Sequence, residues 1–222
     1  MEAHDQVIHA NLIGHMNDAH AAVPVFLNQQ HGVFINMISL GGFAATPWAA
    51  AYSASKFGLR GFSEALRAEL SPYPHIHVCD VYPAFVDTPG LGHGANYVGK
   101  ALSAPPPVMD ARRVARAVVG LARRPRPGVT LGAPAFAVQL AHGIAPKSTA
   151  AAMNAFMRLW ARSSRLVPTT DGNLFSPSPR PGGVDGGLKQ VNQKAALVAG
   201  AAVVGLAAIL LGARHRNRSA RP

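Results

Sequence analysis

Apolar positions in this chain fall into blocks of two kinds, one with helical spacing and one in short unbroken runs. From Asp5 to Leu27 the apolar residues recur at helical intervals, and Pro24 is expected to end the regular part of that helix. Val33 to Ile38 is a run of strand length, followed by a loop opened by Gly41 and Gly42. Ala50 to Leu70 has helical patterning, Ile76 to Tyr82 reads as the next strand, and Val129 to Gly132 as the last. Asp110 to Arg123 is expected to be a helix with Asp110 as N-cap and Val114, Val118 and Leu121 at helical intervals. The links between strands are long enough to hold helices, so the pattern predicts an α/β fold with a doubly wound parallel sheet of about three strands. Val33 to Ile38 would then lie at an apolar sheet edge.

Beyond Gly132 the pattern changes. Ala135 to Leu166 is helical in period but broken at Pro146, and Phe156, Met157 and Trp160 at helical spacing read as packing residues. Asp171 to Gly187 is rich in proline and glycine and is expected to be a flexible linker. Ala195 to Ala213 is nineteen residues without a charge, preceded by Lys189 and Lys194 and followed by Arg214, Arg216, Arg218 and Arg221. As a helix it would be about 29 Å long, enough for a carboxyl-terminal transmembrane span. The alternative for this stretch is a buried helix of a globular core. The expected division is a domain over 1–132, a helical extension over 133–170, a linker over 171–194, a single-pass anchor over 195–213 and a basic tail over 214–222.

The 222 residues carry a formal net charge of +11, which raises nucleic acid as a partner. The arginines argue against it: they cluster at Arg112, Arg113, Arg116, Arg123, Arg124 and Arg126, then from Arg158 to Arg165, without interleaved aromatics for base stacking. Anionic lipid headgroups, or a merely solvated basic face, suit them better. Cys79 is single and lies in an apolar strand, which fits a reducing compartment and a core role. His75 and His77 would share a strand face, yet no cysteine or carboxylate set joins them, so no metal site is expected.

The candidate chemistry sits in the first third of the chain. Tyr52 and Lys56 are four residues apart, one helical turn, so both side chains point the same way and the ammonium is expected to favour the phenolate, bringing the tyrosine nearer neutrality. Ser39 lies thirteen positions before Tyr52, at the carboxyl end of a strand, where ligand crevices of open α/β sheets form. Asn11 lies twenty-eight positions before Ser39.

In order and spacing, Asn11-Leu12-Ile13-Gly14, Asn36-Met37-Ile38-Ser39, Tyr52-Ser53-Ala54-Ser55-Lys56-Phe57-Gly58 and Pro83-Ala84-Phe85-Val86-Asp87-Thr88 resemble the short-chain dehydrogenase/reductase family, roughly from Ala3 to Gly132. The resemblance implies a partial Rossmann-like fold and hydride transfer between NAD or NADP and a hydroxyl or carbonyl carbon. It implies Tyr52 as general acid/base, Ser39 as the hydrogen-bond partner of the substrate oxygen, Lys56 as the holder of the nicotinamide ribose, and Asn11 as support for a proton-relay water. Pro83, Val86 and Thr88, with Tyr52 and Lys56, are implied as cofactor contacts. The Pro83 to Val108 segment resembles the family's variable substrate loop, and the Ala135 to Leu166 extension is expected to pack near the substrate opening or lie on the membrane. A homodimer is likewise implied.

Two departures accompany the resemblance. No Gly-x-Gly-x-x-Gly turn precedes Asn11, so the chain looks like the carboxyl portion of such an enzyme, and the segment that would choose between NAD and NADP is absent. Ala84 stands where the family usually has glycine, which is tolerable if its φ is negative. Two functions remain open: a membrane-attached oxidoreductase acting on an alcohol, ketone or aldehyde of lipophilic character, or a non-catalytic membrane-anchored remnant that lacks cofactor binding. Four arginines after the span favour a cytoplasmic carboxyl end, whereas the cytosolic location of nicotinamide dinucleotides favours a cytoplasmic catalytic part; the latter is the expectation.

Overall fold

The computed structural model of the chain describes residues 1–162 and 164–188. Its centre is a parallel sheet of β1 (Gly32–Met37), β2 (Ile76–Pro83) and β5 (Gly128–Leu131), in the order β1-β2-β5. Val33 pairs with His77 and Met37 with Val81, while Val81 pairs with Val129 and Pro83 with Leu131. A second, two-stranded parallel pairing joins β3 (Val86–Asp87) to β4 (Met109–Asp110).

The pleat sorts the strand side chains between two helical layers. Val33, Ile35, Met37, Cys79 and Val81 face α5 (Ala111–Arg123) and pack with its Val114, Val118 and Leu121. Phe34, Ile76 and Val78 point the other way, onto Ala19, Val23, Leu66 and Leu70. Those partners belong to α2 (Gly14–Gln29) and to α3 (Ala50–Glu69) with its C-cap Leu70. This two-sided burial is why the strands read as near-continuous apolar runs. Asp110 caps α5 as expected, its carboxylate accepting the Arg112 amide at 2.8 Å. β1 occupies one edge of the three-stranded sheet, as its predicted position required.

The first helix departs from expectation. Helical structure runs from α1 (Glu2–Ile8) through a π-helical turn (His9–Ile13) into α2, and it continues past Pro24 to Gln29. Proline deletes a helical hydrogen bond and crowds the preceding turn. Here Phe26 and Leu27, both beyond it, pack into the cluster built on Leu66, Ile76 and Val78, and that burial holds the last turn in place. Gln30 at φ 62° then ends the helix.

After β5 come α6 (Ala133–Ile144) and α7 (Pro146–Arg162), separated at Ala145 before the predicted break at Pro146. Residues 164–188 return across the segment between β3 and β4, which holds the short helix α4 (Gly90–His93). Asn96 pairs with Thr170 and Lys100 with Leu166 as antiparallel bridges. Arg112 grips the Asp185 carboxylate with two bonds of 2.8 and 3.0 Å, and one Asp87 oxygen accepts the amides of Gly186 and Leu188. The stretch expected to be a linker thus makes these contacts through residue 188. The predicted span over 195–213 and the basic tail lie outside the described residues; among the described residues no helix is long and apolar enough to cross a membrane.

One buried charge ties the α3 layer to the sheet. Asp80 is fully buried on β2 and accepts Arg67 of α3 at 3.0 Å and the Tyr82 hydroxyl at 2.9 Å. Arg67 also donates to the carbonyls of Val78 and Pro127, so a single guanidinium holds α3, β2 and the approach to β5. Replacing Arg67 with Met should cost about 3–5 kcal/mol in urea unfolding, because it strands a buried carboxylate. A loss below about 1 kcal/mol would mean that the pair behaves like an exposed one.

Candidate active site

Three strand ends come level at the carboxyl edge of the sheet. The Ile38 amide donates to the Val81 carbonyl and the Ala84 amide to the Leu131 carbonyl, so Ser39, Pro83 and Gly132 emerge side by side. Ser39 leaves β1 at φ 117°, ψ 162°, a conformation that side-chain-bearing residues rarely adopt. A 3-10 turn, Leu40–Gly42, follows, and the Ser39 hydroxyl accepts the Gly41 amide at 3.2 Å. Backbone strain of this kind persists where the surroundings over-determine it, and here the hydroxyl caps the turn and interacts with Tyr52.

α3 brings the other two groups. The loop before it is tied down by the Thr46 amide donating to the Ser53 hydroxyl at 2.9 Å. Tyr52 then lies against the 3-10 turn, so closely that a Cβ on Gly41 would stand 2.9 Å from its ring. That contact gives Gly41 a role beyond opening the loop: only a residue without a side chain lets the phenol settle beside Ser39. Lys56, one turn on, is buried and donates to the carbonyl of Met37, the last residue of β1, at 2.9 Å. Its Nζ stands 6.0 Å from the centre of the Tyr52 ring. The shared face read from the four-residue spacing is therefore present in the fold.

The electrostatics differ from the expectation. Burial raises the pKa of Tyr52 above the ordinary phenol value, and the interaction with the Ser39 side chain lowers it only in part. Burial also pulls Lys56 down from 10.5 to about 8. The expected lowering of the phenol toward neutrality by the ammonium does not occur, because removing both groups from water costs each its charged form and Lys56 spends one of its donors on a backbone carbonyl. At neutral pH Tyr52 is a phenol and Lys56 is mostly an ammonium.

Asn11 sits in the π-helical turn packed on α3, where Leu12 approaches Gly58. Its half-buried side chain makes no hydrogen bond to Ser39, Tyr52 or Lys56 among the described residues. Pro83 ends β2, and Val86 lies in β3 with Thr88 just after it. Gly186 packs on the Thr88 backbone so tightly that a Cβ there would collide with it. Ala84 is buried and is not among the residues with positive φ, so the tolerant reading of that departure agrees with the backbone. Sequence reasoning missed the part played by Asp87, which receives amides from residues ninety-nine and more positions away. No local signal could have revealed that pairing.

The residues present fit one end of a nicotinamide dinucleotide. Lys56 retains two N–H bonds without a partner among the described residues, enough to take the hydroxyls of a ribose, and Tyr52 and Ser39 stand beside it.

Residues 1–94 match the short chain dehydrogenase family. Over 81 residues the chain is 40% identical to 3-ketodihydrosphingosine reductase of Bacteroides thetaiotaomicron, covering 36% of this chain and 30% of that protein. Over 88 residues it is 33% identical to dehydrogenase/reductase SDR family member 7 of Mus musculus, covering 40% and 26% respectively. The chain spans about a third of the length of the curated relatives it matches. Among solved structures, a short chain dehydrogenase from Burkholderia cenocepacia J2315 in complex with NADP superposes with a TM-score of 0.54 at 26% identity, covering 66% of this chain and 56% of that one.

The depressed pKa of Lys56 has a pH signature. Between about 8 and 10.5 the unfolded chain holds a proton on this lysine that the folded chain has released, so the lysine's contribution to stability rises with pH across that window. Below about 8 both states are protonated and the contribution is flat. Urea midpoints at pH 7.5, 8.5 and 9.5 should therefore climb more steeply for the parent than for Lys56→Met; parallel profiles would show that the amine is not desolvated in solution.

Proposed function

We propose that this chain, whose residues 1–94 match the short chain dehydrogenase family, acts as an oxidoreductase interconverting a hydroxyl and a carbonyl with NAD(P)(H). The observation that carries the reading is the convergence of Ser39, at positive φ and in interaction with Tyr52, with Tyr52 and the buried Lys56 on one face of α3. The nicotinamide, when bound, supplies or accepts the hydride.

The chain's own groups handle the oxygen and the proton. A substrate oxygen placed between Ser39 and Tyr52 takes a hydrogen bond from each hydroxyl, which fixes the carbon's orientation. As negative charge grows on that oxygen during reduction, the Tyr52 phenol gives up its proton to it; in the reverse direction the phenolate takes the alcohol proton. Burial raises the Tyr52 pKa, so at neutral pH the phenol holds the proton that reduction requires. Lys56, pinned by the Met37 carbonyl, holds the ribose with its remaining donors and places positive charge near the phenolate once the proton has left. Asn11 supports a relay water that restores the Tyr52 proton.

The substrate class is a small alcohol, ketone or aldehyde. The reductase names of the relatives, 3-ketodihydrosphingosine reductase and 3-oxoacyl-[acyl-carrier-protein] reductase, favour a carbonyl attached to a lipophilic body. The apolar stretch 195–213 supports a single-pass anchor with the catalytic part on the cytoplasmic side, where the dinucleotides are.

A second reading keeps the same residues in a membrane-anchored remnant that neither binds the cofactor nor catalyses. Titrating NADPH fluorescence separates the two. Saturable binding that Lys56→Met abolishes supports the enzyme, whereas no binding up to millimolar cofactor supports the remnant. In the enzyme, Tyr52→Phe should cut turnover by at least about a hundredfold while leaving cofactor affinity within about twofold, since it deletes only the transferable proton. An unchanged rate would remove Tyr52 from its role.

A further inference from the structure

The helical hairpin after β5 has an outer surface that the catalytic reading leaves unused. α6 has two unlike sides. Ala135 and Val138 are buried against Leu40, Ala44 and Ala84, while Phe136, Leu140 and Ile144, spaced by four, are 63%, 57% and 47% exposed. At about 100° per residue these two sets point in opposite directions from the helix axis. The exposed set lines a shallow groove of about 340 Å³ together with Gln139 and Gly143.

α7 adds charge to the same hairpin. Its Thr149 and Met153 face inward, and the exposed Lys147, Arg158 and Arg162 fall within an arc of about 60° on the other side. Leu159 beside them is 60% exposed. From Ala133 to Thr170 the sequence has four cations, Lys147, Arg158, Arg162 and Arg165, and no aspartate or glutamate.

We propose that the α6–α7 hairpin seats on an anionic lipid surface, with Phe136, Leu140, Ile144 and Leu159 entering the headgroup and acyl boundary and the cations meeting lipid phosphates and carboxylates. Charge decides the occupant. A second copy of this face would cover the apolar residues but bring Lys147, Arg158 and Arg162 against three more cations, with no carboxylate from residues 133–170 of either copy to neutralise them. A nucleic acid would neutralise the cations and leave the apolar stripe in water. An anionic bilayer satisfies both halves of the surface.

The seat has a consequence for the site. Leu40, which α6 covers with Ala135 and Val138, is the residue after Ser39, so the lipid boundary would lie about one helix diameter, 10–12 Å, from the serine. A lipophilic carbonyl compound could then pass from bilayer to site without crossing bulk water; this consequence, unlike the seat itself, rests on the catalytic reading.

The test uses the full chain carrying Leu140→Cys labelled with the polarity-sensitive fluorophore NBD; Cys79 is fully buried and competes little for the label. Val119→Cys on α5, 50% exposed in the parent, is the control position. Each is added to vesicles of phosphatidylcholine with about 30 mol % phosphatidylserine, to phosphatidylcholine alone, and to buffer. The label at 140 should brighten about threefold and become accessible to lipid-borne quenchers on the anionic vesicles, with a weaker response on neutral ones, while the label at 119 stays water-like. A water-like label at 140 on chain that nevertheless pellets with the vesicles would overturn the proposal and leave attachment to the 195–213 segment. Shielding in buffer with a doubled mass would overturn it in favour of a second copy. Because the readout needs no turnover, its failure and a failure of the oxidoreductase reading are seen separately.

Discussion

Parallel pairing of β1 with β2 is the constraint on which the site depends. Because Met37 pairs with Val81 and β2 in turn aligns Pro83 with Leu131, the strands end together and Ser39 emerges beside Pro83 and Gly132. Parallel neighbours require a crossover, and the crossover is α3, whose first turns must pass over that common edge to reach β2. Tyr52 and Lys56 are on those turns. The helix is tied at both ends of its length, by Lys56 to the Met37 carbonyl and by Arg67 to Asp80, so the position of the phenol follows from the sheet and not from the loop before it.

Burial and charge compete at this edge. The ordinary argument for a lysine one turn from a tyrosine is that the cation eases the phenol's ionisation. Here both side chains are largely removed from water, and desolvation dominates in each, raising the phenol and lowering the amine. The result is a protonated donor beside a cation with spare hydrogen bonds, a pair set for delivering a proton to an oxygen that becomes negative. Gly41 belongs to the same balance, since the close approach it permits is part of what buries the ring.

The outer parts of the molecule obey different rules. Among the described residues, 164–188 are held by polar contacts: the two bonds from Arg112 to Asp185, the amides on Asp87 and the bridges at Asn96 and Lys100. Proline and glycine content describes a segment's own stiffness and says nothing of partners elsewhere, which is why 171–188 reads as a linker although its residues are engaged. Pro24 is the converse case, where a local breaker is overridden because Phe26 and Leu27 find a cluster to enter.

What the sequence by itself determined was whatever depends on period and order. The strands at Val33, Ile76 and Val129, the helices between them, the Asp110 cap, the break at Pro146 and the common face of Tyr52 and Lys56 all follow from spacing along one element, where geometry is set by the backbone repeat. Tertiary structure alone decided the sign of the pKa shifts, the φ of Ser39, the continuation of the first helix and the pairing of Arg112 with Asp185. Each of these is an energy of burial or a contact between residues far apart in the chain, and such an energy has no value until the neighbours are in place.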